Sequence, residues 1–501
     1  MSTQNFDVII IGAGLSGIGM ACRLQRECPT RSYAILEARD SIGGTWDLYR
    51  YPGIRSDTDM TTMAYDFRPF YTSKMTAPGE DVRKYINDTA KEYQVVDHIR
   101  FSKTVKSASW SSADNMWTLD VTDKRNSETY RCGVLISCSG YYSYSHPHRP
   151  EFDNQSAFKG EVIHPQFWPE DLDTSGKKII VIGSGATAAS LVPKLAENAK
   201  KITMVQRSPT YYCIVPVNET ITKLFRFFLP RRVIYQIVRA KNRFLQLFLY
   251  RLTQTLPGFS KKLLVSLTGF FLGKKVSVKK HFTPKYLPWA QRLCLLPGGD
   301  LLRSIATKKV TIVTDSINKF TRKGLMISSG QELEADIIVT ATGLTLKYLG
   351  GVGFSVDGQN VDFSKEWTYR GMMVSNVPNF IHIFGFISAS WTLRSDMISR
   401  YACRLIKYMG EKSYTQVVPK LRDQDQNMKP RPYIDGFNPG YIERGIKEQP
   451  RQGDHMPWVN TQNYHKDLKV IKKGPVNDGV LRYSSEPVSV TNKVGPTSLV
   501  T

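Results

Sequence analysis

Two glycine-rich loops constrain the fold of this chain more than any other feature of its sequence. The first follows a β-branched run at residues 6–12 and precedes a helical pattern. The second follows a similar run at residues 177–183 and also precedes a helical pattern. A buried strand that ends in a glycine loop and continues as a helix is the dinucleotide-binding unit of a parallel sheet. The sequence therefore predicts an α/β fold with two Rossmann-like dinucleotide-binding domains.

The first loop has the form G-x-G-x-x-G, in which each glycine has a physical role. Gly12 permits the tight turn, Gly14 lets the backbone approach a pyrophosphate, and Gly17 lets the helix pack on the strand. The pyrophosphate would lie at the helix N-terminus, near the amides of Leu15 and Ser16. The next predicted strand ends in an acid that can accept a ribose hydroxyl. The residues predicted to bind this first nucleotide are Gly12, Gly14, Leu15, Ser16, Gly17 and Glu37.

The second loop has the form G-x-G-x-x-A, and the strand predicted after it, at residues 202–206, runs into Arg207 and Ser208. A site for NADH would have an acid there, whereas an arginine suits a 2′-phosphate through charge-assisted hydrogen bonds. We therefore predict NADPH as the second nucleotide, with a solvated strand-end charge as the alternative interpretation of Arg207. The residues predicted to bind it are Gly183, Ser184, Gly185, Ala186, Thr187, Ala188, Ala189, Arg207 and Ser208.

Three further motifs lie between and after the two loops. Residues 158–169 read F-x-G-x-x-x-H-x-x-x-W-P, residues 43–57 read G-G-x-W-x-x-x-x-Y-P-G-x-x-x-D, and residues 341–343 are Ala-Thr-Gly. This set resembles the type I Baeyer–Villiger monooxygenases, flavoproteins that use FAD, NADPH and O2 to insert oxygen beside a carbonyl or onto a heteroatom. Details of the motifs narrow the resemblance to the subgroup of the ethionamide-activating and long-chain alkane monooxygenases. The similarity extends over nearly the whole chain.

The resemblance implies a set of cofactor contacts along the motif at residues 43–57. In similar proteins its first half contacts the flavin nucleotide, the aspartate matching Asp57 lies beside the isoalloxazine, and the residues matching Arg55 and Ser56 lie near the nicotinamide. The residue matching Val105 contacts the FAD adenine through its backbone. From the residues alone, Ser56 and Asp57 can also cap a following helix. The implied contacts are Gly44, Thr45, Trp46, Asp47, Leu48, Arg55, Ser56, Asp57 and Val105.

The resemblance also implies a cation beside the flavin. In the family, O2 adds to the reduced flavin to give a C4a-peroxyflavin, which must be kept from water and which attacks a ketone to form an anionic oxygen. A positive charge over the flavin stabilises both the deprotonated peroxide and the anionic oxygen of the adduct. An arginine at the position of Arg292 projects over the flavin, so Arg292 is the predicted catalytic cation and Asp57 its orienting partner. Gln291 departs from the family pattern, because many Baeyer–Villiger enzymes have there a lysine that helps to hold the 2′-phosphate.

The cofactor motifs alone are shared with other classes of protein. Disulfide reductases need a dithiol near the flavin, and the seven cysteines include no C-x-x-C pair, which also argues against a zinc site. An S- or N-oxygenating flavin monooxygenase with little ketone activity shares every cofactor motif, and only Trp168, Pro169 and Arg292 argue against it. A long-chain alkane hydroxylase is a further alternative, and a non-enzymatic flavoprotein or anion-binding protein is the least favoured. The predicted substrates are small apolar ketones, thioethers or thioamides.

The chain is strongly basic, with a formal net charge of +24. Between residues 221 and 280 it has 14 Lys or Arg and no Asp or Glu, mixed with Phe, Leu and Tyr. Short basic amphipathic helices are predicted there, and their apolar faces fit equally well a negatively charged membrane surface or packing on the protein itself. Nothing resembles a nucleic-acid recognition module.

The chain enters a strand at once and has no uncharged apolar run of the roughly 18 residues that span a bilayer. A cytoplasmic protein is therefore expected, peripheral at the inner face of the membrane if the basic segment binds lipid.

These motifs divide the chain into an FAD-binding domain with an inserted NADP-binding domain. The predicted segments are 1–150 (first part of the FAD domain), 151–175 (fingerprint linker), 176–335 (NADP domain, with a basic helical insertion at 215–285), 336–415 (second part of the FAD domain) and 416–501 (C-terminal extension with a loose tail). His164 lies in the linker, where we expect it to be conformational rather than catalytic.

Overall fold

The computed structural model describes residues 3–123, 126–225, 227–291 and 293–485. The strands are β1 (Thr3–Ile11), β2 (Tyr33–Leu36), β3 (Ile99–Arg100), β4 (Thr104–Ser111), β5 (Met116–Asp123), β6 (Asn126–Ser137), β7 (Glu161–Ile163), β8 (Lys178–Ile182), β9 (Lys201–Gln206), β10 (Tyr212–Val215), β11 (Cys294–Pro297), β12 (Val310–Thr314), β13 (Ile317–Thr321), β14 (Gly324–Ile327), β15 (Glu332–Glu334), β16 (Ile337–Thr340), β17 (Gly353–Val356), β18 (Gln359–Asn360), β19 (Thr368–Tyr369), β20 (Met373–Val374), β21 (Phe380–His382), β22 (Gln416–Pro419) and β23 (Leu481–Ser484). The α-helices are α1 (Leu15–Glu27), α2 (Thr45–Leu48), α3 (Met60–Met63), α4 (Gly79–Glu92), α5 (Ala186–Leu195), α6 (Thr220–Phe225), α7 (Arg231–Thr255), α8 (Pro257–Leu272), α9 (Val278–His281), α10 (Asp300–Ala306), α11 (Trp391–Glu411), α12 (Gly440–Gly445) and α13 (Tyr464–Asp467).

The larger sheet contains the first glycine-rich loop. Its strand order is β18-β17-β4-β5-β6-β1-β2-β3, and β21 also pairs with β6. The central strand β1 runs parallel to β2 and β6, and its residues Ile9 and Ile10 are fully buried. A strand covered on both faces explains the unbroken β-branched run of the sequence. Helices α1 and α11 pack together on one face, around Ile18, Met397 and Tyr401.

The second glycine-rich loop belongs to a sheet of five parallel strands in the order β12-β9-β8-β16-β7. β7 is an edge strand here, so part of the predicted linker is integral to this sheet. β16 pairs with β8, so the predicted boundary at residue 335 is one strand too early. The four residues of β16 are all buried, and such an apolar run fits either parallel sheet until its pairing partner is known. The other predicted boundaries stay predictions.

The basic segment is helical, but its two main helices are longer than predicted. α7 has 25 residues and α8 has 16. α7 stays continuous because Ile234, Tyr235, Val238 and Asn242 lie on one buried face at helical spacing. α7 contacts α3, beside the larger sheet, whereas α8 contacts β10 and α10, beside the five-stranded sheet. We call α7 and α8 together the helical hairpin, and it bridges the two parts of the molecule.

None of the helices in the described part of the chain is long and apolar enough to cross a membrane.

The C-terminal residues up to 485 are integral to the core of the larger sheet. Trp458 is fully buried in the cluster that contains α1 and α11. Arg394 of α11 forms a fully buried ion pair with Asp467, with 2.8 Å between Nε and Oδ2. β23 pairs with β22 and closes this part of the structure. The predicted loose tail, the last fifteen residues (487–501), lies outside the described residues.

Candidate active site

A cleft of about 930 Å³ lies at the carboxyl ends of β1 and β2. Its walls come from the first glycine-rich loop, from residues 43–46, from residues 138–146 and from residues 345–347. Val105 of β4 also lines it. A cleft of this volume falls within the range of small-molecule and cofactor sites. Stretches far apart in sequence therefore meet where the first nucleotide was predicted.

The N-terminus of α1 faces this cleft through Leu15 and Ser16, which line it. Gly14 is the N-cap, no side chain caps the free N–H groups, and the first turn has no acidic residue. Gly12 has a φ of +99°, and a Cβ atom there would lie 2.8 Å from the carbonyl oxygen of Cys138, so the turn requires glycine. Uncapped N–H groups at the positive end of a helix suit a pyrophosphate.

Glu37 lies at the end of β2 and lines the same cleft. Its carboxylate accepts hydrogen bonds from the backbone N–H groups of Ala13, at 2.6 Å, and Arg39, at 2.9 Å. Burial raises the pKa of Glu37 above its ordinary value. Because each carboxylate oxygen has a second lone pair, Glu37 can hold the glycine-rich loop and still accept a ribose hydroxyl. The ribose contact itself stays a prediction.

Some residues of the motif at 43–57 line the cleft, and others make contacts away from it. The residues of its first half that line the cleft are Gly44, Thr45 and Trp46. Asp47 is buried and accepts hydrogen bonds of 2.5 Å from both Arg39 and Arg50. Leu48 packs against the core of the five-stranded sheet. Asp47 and Leu48 therefore do not line the cleft, and their contact with a flavin nucleotide stays a prediction.

Arg55 and Ser56 each contact a residue that is distant from them in the sequence. Arg55 forms an ion pair with Asp300, the first residue of α10. The buried hydroxyl of Ser56 accepts a hydrogen bond of 3.0 Å from the backbone N–H of Ala77. Because α10 lies beside the five-stranded sheet, the ion pair bridges the two parts of the molecule. Their position near a nicotinamide stays a prediction.

A second, smaller cavity of about 180 Å³ meets the cleft. Asp57, Thr58 and Ala389 line both spaces and form the junction. Beyond the junction the walls are mostly apolar. The aliphatic residues in these walls are Val215, Leu245, Leu249, Leu252, Leu263, Leu264, Leu293, Leu295 and Ile387. Most of them belong to the helical hairpin, which therefore encloses this cavity.

Asp59 lies in the wall of the smaller cavity and is the N-cap of α3. Its buried carboxylate accepts hydrogen bonds from the backbone N–H of Thr62 at 2.9 Å, from Nδ2 of Asn242 at 3.1 Å and from Nε2 of Gln246. The network fixes α7 to α3 next to Asp57. The alternative interpretation of Asp57 as a helix cap is wrong, because Asp59 occupies that position.

Arg292, the predicted catalytic cation, lies outside the described residues. Near it in sequence, Trp289 and Leu293 line the smaller cavity. The catalytic role of Arg292 and its partnership with Asp57 therefore stay predictions from the resemblance.

The second glycine-rich loop lies at the carboxyl end of β8. Gly183 has a φ of +131°, and a Cβ atom there would lie 2.3 Å from the carbonyl oxygen of Ala341. Gly185 is the N-cap of α5, and no side chain caps the helix. The hydroxyl of Ser184 donates to the backbone oxygen of Ser208 at 3.4 Å. The loop and the end of β9 therefore lie side by side, as a nucleotide site requires.

Arg207 and Ser208 are exposed at the end of β9. Ala188 and Ala189 are buried in the core of the five-stranded sheet, so their role is close helix packing. The remaining predicted contacts in the first turn of α5, Ala186 and Thr187, are at least partly exposed. An exposed arginine beside an uncapped helix N-terminus can reach an anionic group.

The fingerprint motif joins the five-stranded sheet to the wall of the cleft through Gln166, which sequence reasoning missed. Its side-chain amide donates to the backbone oxygens of Ser143 at 3.1 Å and Tyr144 at 2.8 Å. Its side-chain oxygen accepts a hydrogen bond of 3.1 Å from Tyr49. Ser143 and Tyr144 line the cleft. Gln166 stands at an unspecified position of the motif, so no sequence signal singled it out.

His164 is buried two residues before Gln166, and its Nδ1 accepts a hydrogen bond of 3.2 Å from the backbone N–H of Gln166. Burial, together with the nearby charge of Arg149, lowers the pKa of His164 to about 4. The ring is therefore neutral near pH 7. A buried neutral ring that accepts a backbone hydrogen bond fits a positioning role better than proton transfer.

The cysteines do not form a redox pair at the cleft. All seven are free in the structure, and Cys138 is the cysteine that lines the cleft. Burial raises the pKa of the Cys138 thiol well above its ordinary value, which suppresses the reactive thiolate. Because disulfide reduction requires two thiols beside the flavin, this site does not support it.

Comparison with known proteins first defines the class. The family described as pyridine nucleotide-disulphide oxidoreductase matches residues 9–218. The fold is similar to that of an oxidised steroid monooxygenase bound to NADP, with a TM-score of 0.75 and 19% identity over 96% of this chain and 99% of that one. It is also similar to OTEMO in complex with FAD and NADP, with a TM-score of 0.74 and 20% identity over 96% and 100% of the two chains. The fold is thus that of flavoprotein oxygenases with two dinucleotide-binding domains.

Sequence relatives then define the family. The chain is 45% identical to the FAD-containing monooxygenase EthA of Mycobacterium tuberculosis H37Rv over 489 residues, which cover 97% of this chain and 99% of the relative. It is 41% identical to the probable FAD-binding monooxygenase AlmA of Acinetobacter baylyi over 495 residues, or 98% and 99% of the two chains. The chain therefore belongs to the EthA-like family of FAD-containing monooxygenases. It is a flavoprotein monooxygenase, which confirms the resemblance and the two-domain α/β prediction.

Proposed function

We propose that this enzyme is a Baeyer–Villiger-type monooxygenase that inserts oxygen into apolar ketones to give esters and also oxidises sulfur compounds. Its cofactors are FAD, in the larger cleft, and NADPH, at the second glycine-rich loop. The observation that carries the proposal is the junction at Asp57, Thr58 and Ala389, where an apolar cavity meets the FAD cleft. A ketone bound in that cavity would have its carbonyl at the junction.

The residues around the larger cleft fit FAD. The uncapped amides of Leu15 and Ser16 suit the pyrophosphate, and the carboxylate of Glu37 has free lone pairs for the ribose. Gly12, where a Cβ atom would meet the carbonyl oxygen of Cys138, keeps the turn before α1 tight. When bound, the flavin supplies the hydride and oxygen chemistry that no side chain can supply.

The chain itself binds and orients the substrate and excludes water. Leu249, Leu252 and Leu264 form an apolar wall that favours an aliphatic tail. A dry junction strengthens every charge interaction in it and limits the loss of activated oxygen as H2O2. We assign to Arg292 the stabilisation of the anionic oxygen that forms when the carbonyl is attacked, with Asp57 as its orienting partner.

A long-chain alkane hydroxylase is the second candidate. The aliphatic walls of the smaller cavity favour it, because an alkane needs no polar partner beyond the junction. The two candidates differ in product, since a ketone gives an ester and an alkane gives an alcohol.

The test measures ester formation, NADPH consumption and H2O2 release with a series of linear ketones. Leu252→Phe fills the cavity, so we expect it to lower kcat/KM for long ketones by about tenfold or more and to spare short ones. The matched control is Leu256→Phe at the C-cap of the same helix, because Leu256 is 54% exposed and does not line the cavity. If the wild-type enzyme makes no ester, or if both variants behave alike, the proposed substrate site is wrong.

A further inference from the structure

The outward side of the basic segment carries most of the large exposed apolar side chains in the described part of the chain. Of 21 such side chains, 15 lie between residues 221 and 280. Phe228, Phe244 and Phe270 are 78%, 67% and 84% exposed. Scattered exposed apolar residues are ordinary, but a concentration of this kind marks an interaction surface.

These side chains form stripes along the helical hairpin. On α7, Phe244 and Phe248 are one turn apart and their rings stack, with centroids 5.9 Å apart. On α8, the exposed stripe recurs every three or four residues, which is the spacing of one helix face. Its members are Phe259, Leu263, Leu267 and Phe270. Each helix therefore has one face packed on the protein and one apolar stripe that faces outward.

Cations surround these stripes, and the segment has no acid. Arg232, Arg251, Lys262 and Lys274 are exposed, and none of them forms an ion pair with another described residue. An apolar stripe flanked by unpaired cations is complementary to an anionic lipid headgroup layer. It is not self-complementary, because two copies packed through this face would bring like charges together without an acid to offset them.

The smaller cavity lies directly behind this surface. Leu245, Leu249 and Leu263 line the cavity and are each about two-fifths exposed. Leu245 and Leu249 directly follow the exposed Phe244 and Phe248 in α7. The mouth of the cavity and the apolar stripes therefore share one face of the hairpin.

We propose that the helical hairpin docks on the surface of an anionic lipid bilayer and that the smaller cavity takes its apolar substrate from that bilayer. The docking does not depend on the reaction, whereas the route of the substrate rests on the proposed function. Docking at this face would place the mouth of the cavity against the acyl chains, where an apolar substrate is concentrated.

The first experiment measures cosedimentation of the full-length FAD-loaded enzyme with vesicles of phosphatidylcholine, with and without phosphatidylglycerol. We expect binding only with phosphatidylglycerol, and weaker binding at high salt. The variant R251Q/K262Q/K274Q should bind about 100-fold more weakly, because each near-surface cation contributes roughly a fivefold factor. The control K309Q/K323Q/K412Q removes three exposed charges elsewhere and should bind like wild type. Equal binding of the two variants, or no binding by wild type, overturns the proposal.

The second experiment uses F244S/F248S/F270S, none of which lines the cavity. We expect loss of vesicle binding, an unchanged sedimentation coefficient, unchanged turnover of a short soluble ketone and at least a tenfold higher KM for a long ketone supplied in vesicles. If the substitutions instead dissociate an oligomer and vesicle binding persists, the surface is a contact between copies and the proposal fails. A wild-type enzyme that binds vesicles but oxidises no ketone would refute the proposed function and leave the docking intact.

Discussion

Replacing Asp59 by alanine is expected to release α7 from α3 while the cofactor cleft stays folded. The carboxylate accepts hydrogen bonds from the backbone N–H of Thr62, from two threonine hydroxyls, and from the amides of Asn242 and Gln246. Loss of the helix cap costs about 0.5–2 kcal/mol. Asn242 and Gln246 each keep one threonine partner, so each loses one bond to a charged acceptor, worth about 1.5–3 kcal/mol. The cap bond lies within α3, so the contact between α3 and α7 loses the two amide bonds, which together contribute roughly 3 kcal/mol or more.

Hydrogen exchange measures this loss where it occurs, because a chain of this size has no single unfolding free energy. In the FAD-loaded enzyme, protection of the α7 amides should fall by about 150-fold, which corresponds to roughly 3 kcal/mol. Protection of β1 and α1 should not change, since they form the core of the larger sheet. Because α7 forms part of the wall of the smaller cavity, its loosening should also raise the amount of H2O2 released per NADPH consumed.

Asp362→Ala is the matched control for Asp59→Ala. Asp362 also caps a short turn, with its carboxylate accepting from the backbone N–H of Ser364 at 3.1 Å, but it is exposed and holds no second helix. We expect less than a roughly threefold change in exchange of α7. If Asp59→Ala changes α7 by no more than this control, or loosens α1 as much as α7, the network does not hold the helical hairpin in place.

The remaining predictions concern single side chains. Arg292→Ala should lower product formation by about 10²–10³-fold with FAD still bound, and normal turnover would reject its catalytic role. Arg207→Ala should raise the Kd for NADPH by about 10–150-fold, the loss of roughly 1.5–3 kcal/mol, and should spare NADH; equal effects on both cofactors would contradict the 2′-phosphate contact. The pKa of His164 falls from 6.5 to about 4 on folding, so the unfolded chain binds more protons between these values. Stability should therefore be full above pH ~6.5 and decline by up to about 3 kcal/mol as the pH falls towards 4. His164→Gln should flatten this part of the pH profile of the FAD-release temperature, and an unchanged slope would show that another group is responsible.

The nucleotide loops could be predicted from the sequence because their constraints are local. The turn at Gly12 and the turn at Gly183 each need a positive φ and space for a neighbouring carbonyl, and the flanking periodicities appear within a few turns of chain. β16 was assigned to the wrong sheet because its pairing with β8 is a long-range contact. A short apolar run contains no information about which parallel sheet will bury it.

The wall of the smaller cavity could not be predicted for a related reason. Asn242 lies 183 residues from Asp59 in sequence, and polar residues at helical spacing on a basic helix look like a solvated face. A sequence motif also does not distinguish the residues that contact a cofactor from the residues that position the surrounding loop. Asp47 and Ser56 belong to the flavin motif, yet their described contacts are with other parts of the chain.

The helical hairpin occupies one contiguous stretch of sequence and contributes to neither glycine-rich loop. Mutations in α7 and α8 can reshape the cavity while the turns at Gly12 and Gly183 stay unchanged. After gene duplication, copies of such an enzyme can therefore diverge in the compounds they accept without rebuilding their redox chemistry. The fold separates, within one polypeptide, the part that selection is free to vary from the part that it must keep.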